Sequence, residues 1–394
     1  MDEILINTST LGSQTQRSIT GFRGTQFVAV WEDLNDGSIR GQMLSPDGTK
    51  TSNEFLVNVP DKPNTKRQRP AIVETPLGFA VAWNEQLPGG VPQLKLRAFD
   101  GDTLSGPEIQ VSSSQVEPLI RPAMARLGDG GFVIVWADAR ANDRIRAQRF
   151  GLEGEKAGPE FRANTVAGLH RVPMAAALTN GNIVVGWRAR ISGPLLVHFQ
   201  VFDTSGSPVG SERTTNIDLT HAAMASLDSG RFVITHIRQP GDGETGFDTF
   251  VPEASVFEAS GASAGRRFSA TTGRIQTSWP AIVPLSGGRF VLGWTELNVD
   301  APAAGTNVMA RLFSTQGAIG KAVRVNTSTG HERFSLSIAA TSGPEGETLF
   351  AVWNDTTRAP AIRRGAPCAD GRCRFRPGAS SGVRARRVPA TNRV

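Results

Sequence analysis

Short apolar runs recur along the chain with the same internal order and the same ending. They read FVAVW to Trp31, FAVAW to Trp83, FVIVW to Trp136, IVVGW to Trp187, FVITH to His236, FVLGW to Trp294 and LFAVW to Trp353. Successive copies lie 52, 53, 51, 49, 58 and 59 residues apart, a period that marks radial or stacked repeats. Within the third copy, RPAMARLGDGGFVIVWADARANDRIRAQRFGLEGEKAGPEFRANT, the pattern predicts four strands. The first follows Pro122, the second ends at Trp136, the third is Arg144 to Phe150 and the fourth is PEFRANT. Alternation in the third sets Ile145, Ala147 and Arg149 on one face and Arg146, Gln148 and Phe150 on the other. Gly-rich turns between the runs mark antiparallel connections.

Seven such units in 394 residues leave no room for a second domain. The expected fold is all-β: a seven-bladed β-propeller of four-stranded antiparallel blades, one domain over 1–394. The first residues, EILINTST, match the fourth-strand pattern of KAVRVNTST (Lys321 to Thr329), and the last, SGVRARRVPA, match the third-strand pattern. The N-terminal strand is therefore expected to complete the last blade, which closes the ring and removes a free sheet edge.

The repeated tryptophans read as scaffold. Phe27, Ala29 and Trp31 share one strand face, and the same face recurs in the other copies, so these rings are expected to fill the gaps between blades. Function is better sought where the repeat breaks. The position just before the first strand reads Arg17, Arg69, Arg121, Val172, His221, Trp279 and Arg333, with Arg171 one residue earlier in blade 4. First strands line a propeller's channel, so these arginines are expected to ring its mouth, where guanidinium groups suit carboxylate, sulfate or phosphate. Paired with nearby acids, the same arginines would be ordinary rim residues. Trp279 is the one tryptophan outside the repeated position. His236 replaces the repeated tryptophan and is expected to be packed and hydrogen-bonded. His170, His221 and His331 precede first strands, but ring spacing sets them too far apart for one zinc ion.

Loops between second and third strands on this face are unequal. Blade 5 carries GDGETGFDTF, blade 6 LNVDAPAAGT and blade 7 an insertion over 356–381; long loops on a rigid scaffold are where binding concentrates. The insertion contains Cys368 and Cys373, the only cysteines, whose spacing in PCADGRC suits a local disulfide and an oxidising compartment.

Charge adds little selectivity. The net +6 comes from 42 Lys and Arg against 36 Asp and Glu, which permits an anionic partner, while the lack of aromatic interleaving argues against nucleic acid. No apolar run approaches membrane-span length. The N-terminus lacks the basic and apolar regions of a signal peptide, so export is expected either to use another signal or to have preceded the numbering.

The consensus P-A-x-x-x-L-x-x-G-G-F-V-x-x-W, I-R-A-Q-x-F-D-x-x-G and E-x-x-V-N resembles repeats of bacterial secreted and surface β-propeller proteins, and more loosely the propeller lectins. That resemblance implies an extracellular or cell-surface location and a binding role. Sialidases share only the propeller arginines; their tyrosine nucleophile has no counterpart, because the chain contains no tyrosine. Glu32, Glu85, Asp138, Glu296 and Asp355 follow the repeated position, which reads as loop structure rather than one catalytic pair. G-x-S-x-G, H-E-x-x-H and phosphate-loop motifs are absent. The expected function is non-catalytic binding of a glycan, another anion or a protein partner, with no cofactor. The alternatives are a structural or adhesive subunit, or a glycan-acting hydrolase or lyase.

Overall fold

The structure is a computed structural model that describes residues 3–8, 13–59, 63–101, 103–104, 106–139, 144–218, 221–238, 251–271, 275–298, 305–343, 346–357 and 381–388. Seven antiparallel sheets form the blades of a propeller. The third blade contains strands Ala123–Arg126, Phe132–Ala137, Ile145–Phe150 and Lys156–Arg162, paired in that order. The innermost strands touch in sequence order around the ring, and Gln14–Phe22 of blade 1 meets His331–Gly343 of blade 7. Blade 2 adds a two-residue strand, Thr103–Leu104, beside its third. Among the described residues no helix is long and apolar enough to cross a membrane.

Closure is the expected one. Ile4–Leu5 pairs antiparallel with Ser381–Arg387 as the outer strand of blade 7. The Ile6 amide donates to Val383 O at 2.9 Å, and the Val383 amide donates to Asn7 Oδ1 at 2.8 Å. Ile6 is fully buried, so the strand is anchored by apolar packing as well as by its hydrogen bonds.

The period-two alternation explains how blades stack. Ile145 and Ala147 enter the seam toward blade 4, whereas Phe150 enters the seam toward blade 2. Six of the seven repeated positions bring a tryptophan into the seam with the preceding blade, each no more than 2% exposed. Trp31 packs with Phe350 and Val352 of blade 7, and Trp187 with Val133 and Val135 of blade 3. These rings are scaffold.

The E-x-x-V-N motif acquires a chemical reason. Its asparagine oxygen accepts the amide that opens the third strand: Asn58 from Ile39 at 2.7 Å, Asn164 from Ile145 at 2.9 Å and Asn326 from Val308 at 2.7 Å. Its glutamate reaches across the seam. Glu54 accepts the Thr8 amide at 2.8 Å, Glu160 that of Ser113 at 3.0 Å and Glu212 that of Thr165 at 2.8 Å. Glu3 does the same for Ser328 at 2.8 Å, and Glu108 for Val59. Each blade with this glutamate is thus fastened to its predecessor by a charge-assisted hydrogen bond.

Candidate functional site

Five of the seven innermost strands carry a register shift near one rim. Two residues there oppose the single tryptophan of the second strand: Gln16 and Arg17 oppose Trp31, Arg69 and Pro70 oppose Trp83, and Val172 and Pro173 oppose Trp187. Trp279 and Pro280 do so in blade 6, and Ser335 and Leu336 in blade 7. The first residue of the bulge is left-handed in four blades: Gln16 at φ 49°, Arg69 at 60°, Val172 at 53° and Ser335 at 52°. None is glycine, so each costs about 1 kcal/mol or more and must be held by its surroundings. Arg121 and His221 stand at the equivalent positions in blades 3 and 5, two residues before the partner of Val135 or Thr235.

This register corrects the arginine ring read from sequence. The equivalent positions are Gln16, Arg69, Arg121, Val172, His221, Trp279 and Ser335. Arg17 lies one residue further on, where blades 2, 3, 4 and 6 place proline. Arg333 lies two residues earlier and matches Arg67 instead. Arg67 pairs with Asp355's counterpart, Glu85, at 3.1 Å, and Arg333 pairs with Asp355 at 3.3 Å. Arg333 also donates to Thr306 O at 2.6 Å and Ser328 O at 2.9 Å. It is a buried cation that ties blade 7 to blade 6. Hairpins of unequal length between the first and second strands hide this register from spacing alone.

Arg121 lies within electrostatic reach of both Arg17 and Arg69. The Arg17 side chain is fully buried. Its Nη2 donates to Phe334 O at 3.2 Å and to Asn354 Oδ1, while Nε and Nη1 have no hydrogen-bond partner. Burial, then the charge of Arg121, push its pKa well below the ordinary arginine value. Arg121 is lowered to about 10 by burial and by Arg69, and it donates to Gln16 Oε1 across the ring at 3.4 Å. Burial also lowers Arg69.

The carboxylate among these cations is Glu32, 4% exposed. It accepts the backbone amide of Arg69 and the Thr15 hydroxyl, the latter at 3.0 Å. Burial raises its pKa against the opposing pull of those hydrogen bonds and of Arg69 and Arg121. One negative charge therefore faces three guanidinium groups, an arrangement that favours an added anion.

Sequence reasoning placed Glu32 among the repeated acids, but it stands one residue after the tryptophan and the others stand two after. Strand alternation puts the two classes on opposite faces. The second class makes local contacts: Asp33 with Arg40 at 3.2 Å, Asp138 with Arg146 at 2.7 Å, and Glu296 accepting the Trp294 indole N–H at 2.8 Å. The first class reaches the next blade's bulge or its approach. Asn84 donates to Pro118 O at 3.0 Å and Ile120 O at 2.8 Å, and Asn354 donates to Gln14 O. Of these bonds, that of Glu32 holds a strained bulge directly, and the parity of the residue after the tryptophan was the signal available in the sequence.

The remaining predicted residues are dispersed. Arg171 lies 3.8 Å from Glu117 and donates to His170 O at 3.1 Å. His221 lies near Arg188, and burial with that charge lowers its pKa to about 4. His170 is fully buried beside Asn164, and His331 contacts Asp355. Among the described residues no group of three or more metal-ligating side chains forms. The Trp279 side chain, both cysteines, and all or most of the enlarged loops of blades 5 to 7 lie outside the described residues. His236 is packed and hydrogen-bonded as expected, with Nε2 3.2 Å from Glu253.

No protein-family model and no curated protein matches the chain. Solved structures share its fold. A protein of unknown function from Dyadobacter fermentans superposes with a TM-score of 0.54 at 12% identity, over 79% of this chain and 97% of that one. An ulvan lyase, a polysaccharide lyase bound to -[GlcA(1-4)Rha3S]-, gives 0.56 at 8% identity, over 89% and 93%. The α-L-arabinanase of Penicillium chrysogenum, complexed with arabinobiose, gives 0.50 at 12% identity, over 97% of each chain. At these identities the likeness is one of propeller architecture.

Proposed function

We propose that the protein is a secreted or surface-exposed propeller that binds an acidic glycan at the rim formed by Arg17, Arg69 and Arg121. The observation that carries this reading is the gathering of cationic charge about one carboxylate, Glu32: the partly exposed Arg69 and Arg121, with the buried Arg17, whose Nε and Nη1 are unbonded, behind them. A buried cation that is not neutralised within the fold is expensive, and a carboxylate or sulfate offers two acceptors in the geometry a guanidinium prefers. Support for a saccharide comes from fold neighbours that act on polysaccharides.

Isothermal titration with tetragalacturonate, against uncharged maltotetraose as control, tests the reading. The uronate binds, maltotetraose does not, and the Arg69→Ala/Arg121→Ala variant weakens uronate binding about tenfold or more. Equal binding of both sugars, or no change in the variant, defeats it.

A second reading, a hydrolase or lyase acting on the same glycan, is favoured by Glu32. A buried carboxyl whose pKa is raised beside anion-binding arginines is suited to proton transfer. New reducing ends on incubation with polyuronate, lost in Glu32→Gln, would establish it.

A further inference from the structure

The seam between blades 4 and 5 departs from the pattern that closes the others. At a regular seam a tryptophan is buried against the preceding blade, a third-strand cation stands opposite it, and the fourth-strand glutamate joins that cation to the preceding blade. Trp31 pairs in register with Arg40, which lies 3.1 Å from Glu54; Trp136 pairs with Arg146, which lies 2.8 Å from Glu160. Blade 5 changes all three. His236 replaces the tryptophan, Glu253 stands opposite it, and Arg267 occupies the glutamate position. The charges are exchanged within the blade: Glu253 meets His236 at 3.2 Å, the Ser269 hydroxyl at 3.2 Å and Arg267 at 3.8 Å. Arg267 has donors only and cannot accept an amide from blade 4. Blade 6, with Ala322 at the glutamate position, also lacks the fastening but keeps Trp294. The 4–5 seam lacks both.

A cleft of about 500 Å³ opens at this seam. Phe199 and Phe257, with ring centroids 5.3 Å apart, supply its apolar wall. Arg213 from blade 4 and Arg267 from blade 5 line it with Thr215, Ser255 and Ser263, and no acidic residue lines it. Among the described residues Arg213 makes no ion pair or hydrogen bond. Gly261 keeps the cleft clear: a Cβ there would lie 2.9 Å from the Phe199 ring and 3.0 Å from Arg213 Cδ.

We infer that this cleft is a second saccharide site, separate from the rim site, that takes one sugar unit bearing a carboxylate or sulfate. Aromatic carbon meets the sugar's apolar face, the hydroxyls meet its own, and the unpaired Arg213 guanidinium meets the anion, with Arg267, shared with Glu253, beside it.

The test uses the full chain carrying Arg69→Ala/Arg121→Ala, so that binding at the rim is already weakened. Titration with tetragalacturonate and with a sulfated galactan tetrasaccharide should leave one saturable site per chain, and whichever binds names the anion. Adding Arg213→Glu should weaken that residual binding about tenfold or more, with the melting temperature unchanged because Arg213 holds no partner. A residual site that Arg213→Glu leaves untouched overturns the inference. So does its absence, or equal binding of maltotetraose. Loss of rim binding is read separately, by comparing wild type with the double variant.

Discussion

The carboxylate of Glu32 in blade 1 accepts the backbone amide of Arg69 in blade 2, at a residue whose backbone is left-handed. One side chain thus holds a strained bulge and sets the charge of the rim. Glu32→Gln retains an oxygen for the amide and removes the negative charge, so anion affinity should rise several-fold with little change in stability. Glu32→Ala leaves a buried amide without a partner and should cost about 2 kcal/mol. Titration calorimetry and urea denaturation of the two variants check this; weaker anion binding in Glu32→Gln would contradict it.

Arg17 separates binding from stability. Its guanidinium is buried with two nitrogens unbonded, and replacing a poorly compensated buried charge by an apolar side chain of similar length is often neutral or stabilising. Arg17→Met is therefore expected to melt at or above the wild-type temperature while binding tetragalacturonate about tenfold less tightly. A variant that is both unstable and fully competent in binding would assign Arg17 to the scaffold.

Arg333 should behave in the opposite way. It is 2% exposed, pairs with the buried Asp355 and donates to carbonyls at Thr306 and Ser328. Arg333→Ala strands those groups, although His331 and Arg384 still reach Asp355. A loss of about 3 kcal/mol in chemical denaturation is expected, with rim binding of anions preserved in the folded fraction.

The ring, its closure and the role of the tryptophans were legible in the sequence because one packing demand is repeated seven times. Phe27, Ala29 and Trp31 must face the same neighbour, and alternation says so without coordinates. The arginine ring was only partly legible. Arg17, Arg69 and Arg333 all precede an apolar strand, but they stand one residue after, at and two residues before the equivalent position, because the hairpins leading to the second strands differ in length. Glu32 was in reach: it follows its tryptophan by one residue whereas Glu85, Asp138, Glu296 and Asp355 follow by two. The exchange of Glu253 and Arg267 was also written in the repeat, but the exchange has meaning only once the glutamate is known to cross a seam.

His221 gives the fold a pH dependence of defined sign. Its proton is bound near 6.5 in the ordinary case and only at about 4 in the folded protein, because burial and then Arg188 oppose the charged ring. Between those values the unfolded chain binds more protons than the folded one. Stability contributed by the neutral ring is therefore complete above about 6.5, falls as the pH is lowered through that window and levels off below about 4. The window corresponds to at most about 3 kcal/mol, reduced by solvent screening because the ring is only partly buried. His236, whose pKa is also lowered chiefly by burial, adds to the same trend. His221→Asn removes one contribution and keeps the other, so its melting temperature should fall less than that of wild type between pH 7 and about 4. Scanning calorimetry across that range decides the point, and parallel curves for the two proteins would show that His221 does not titrate on unfolding.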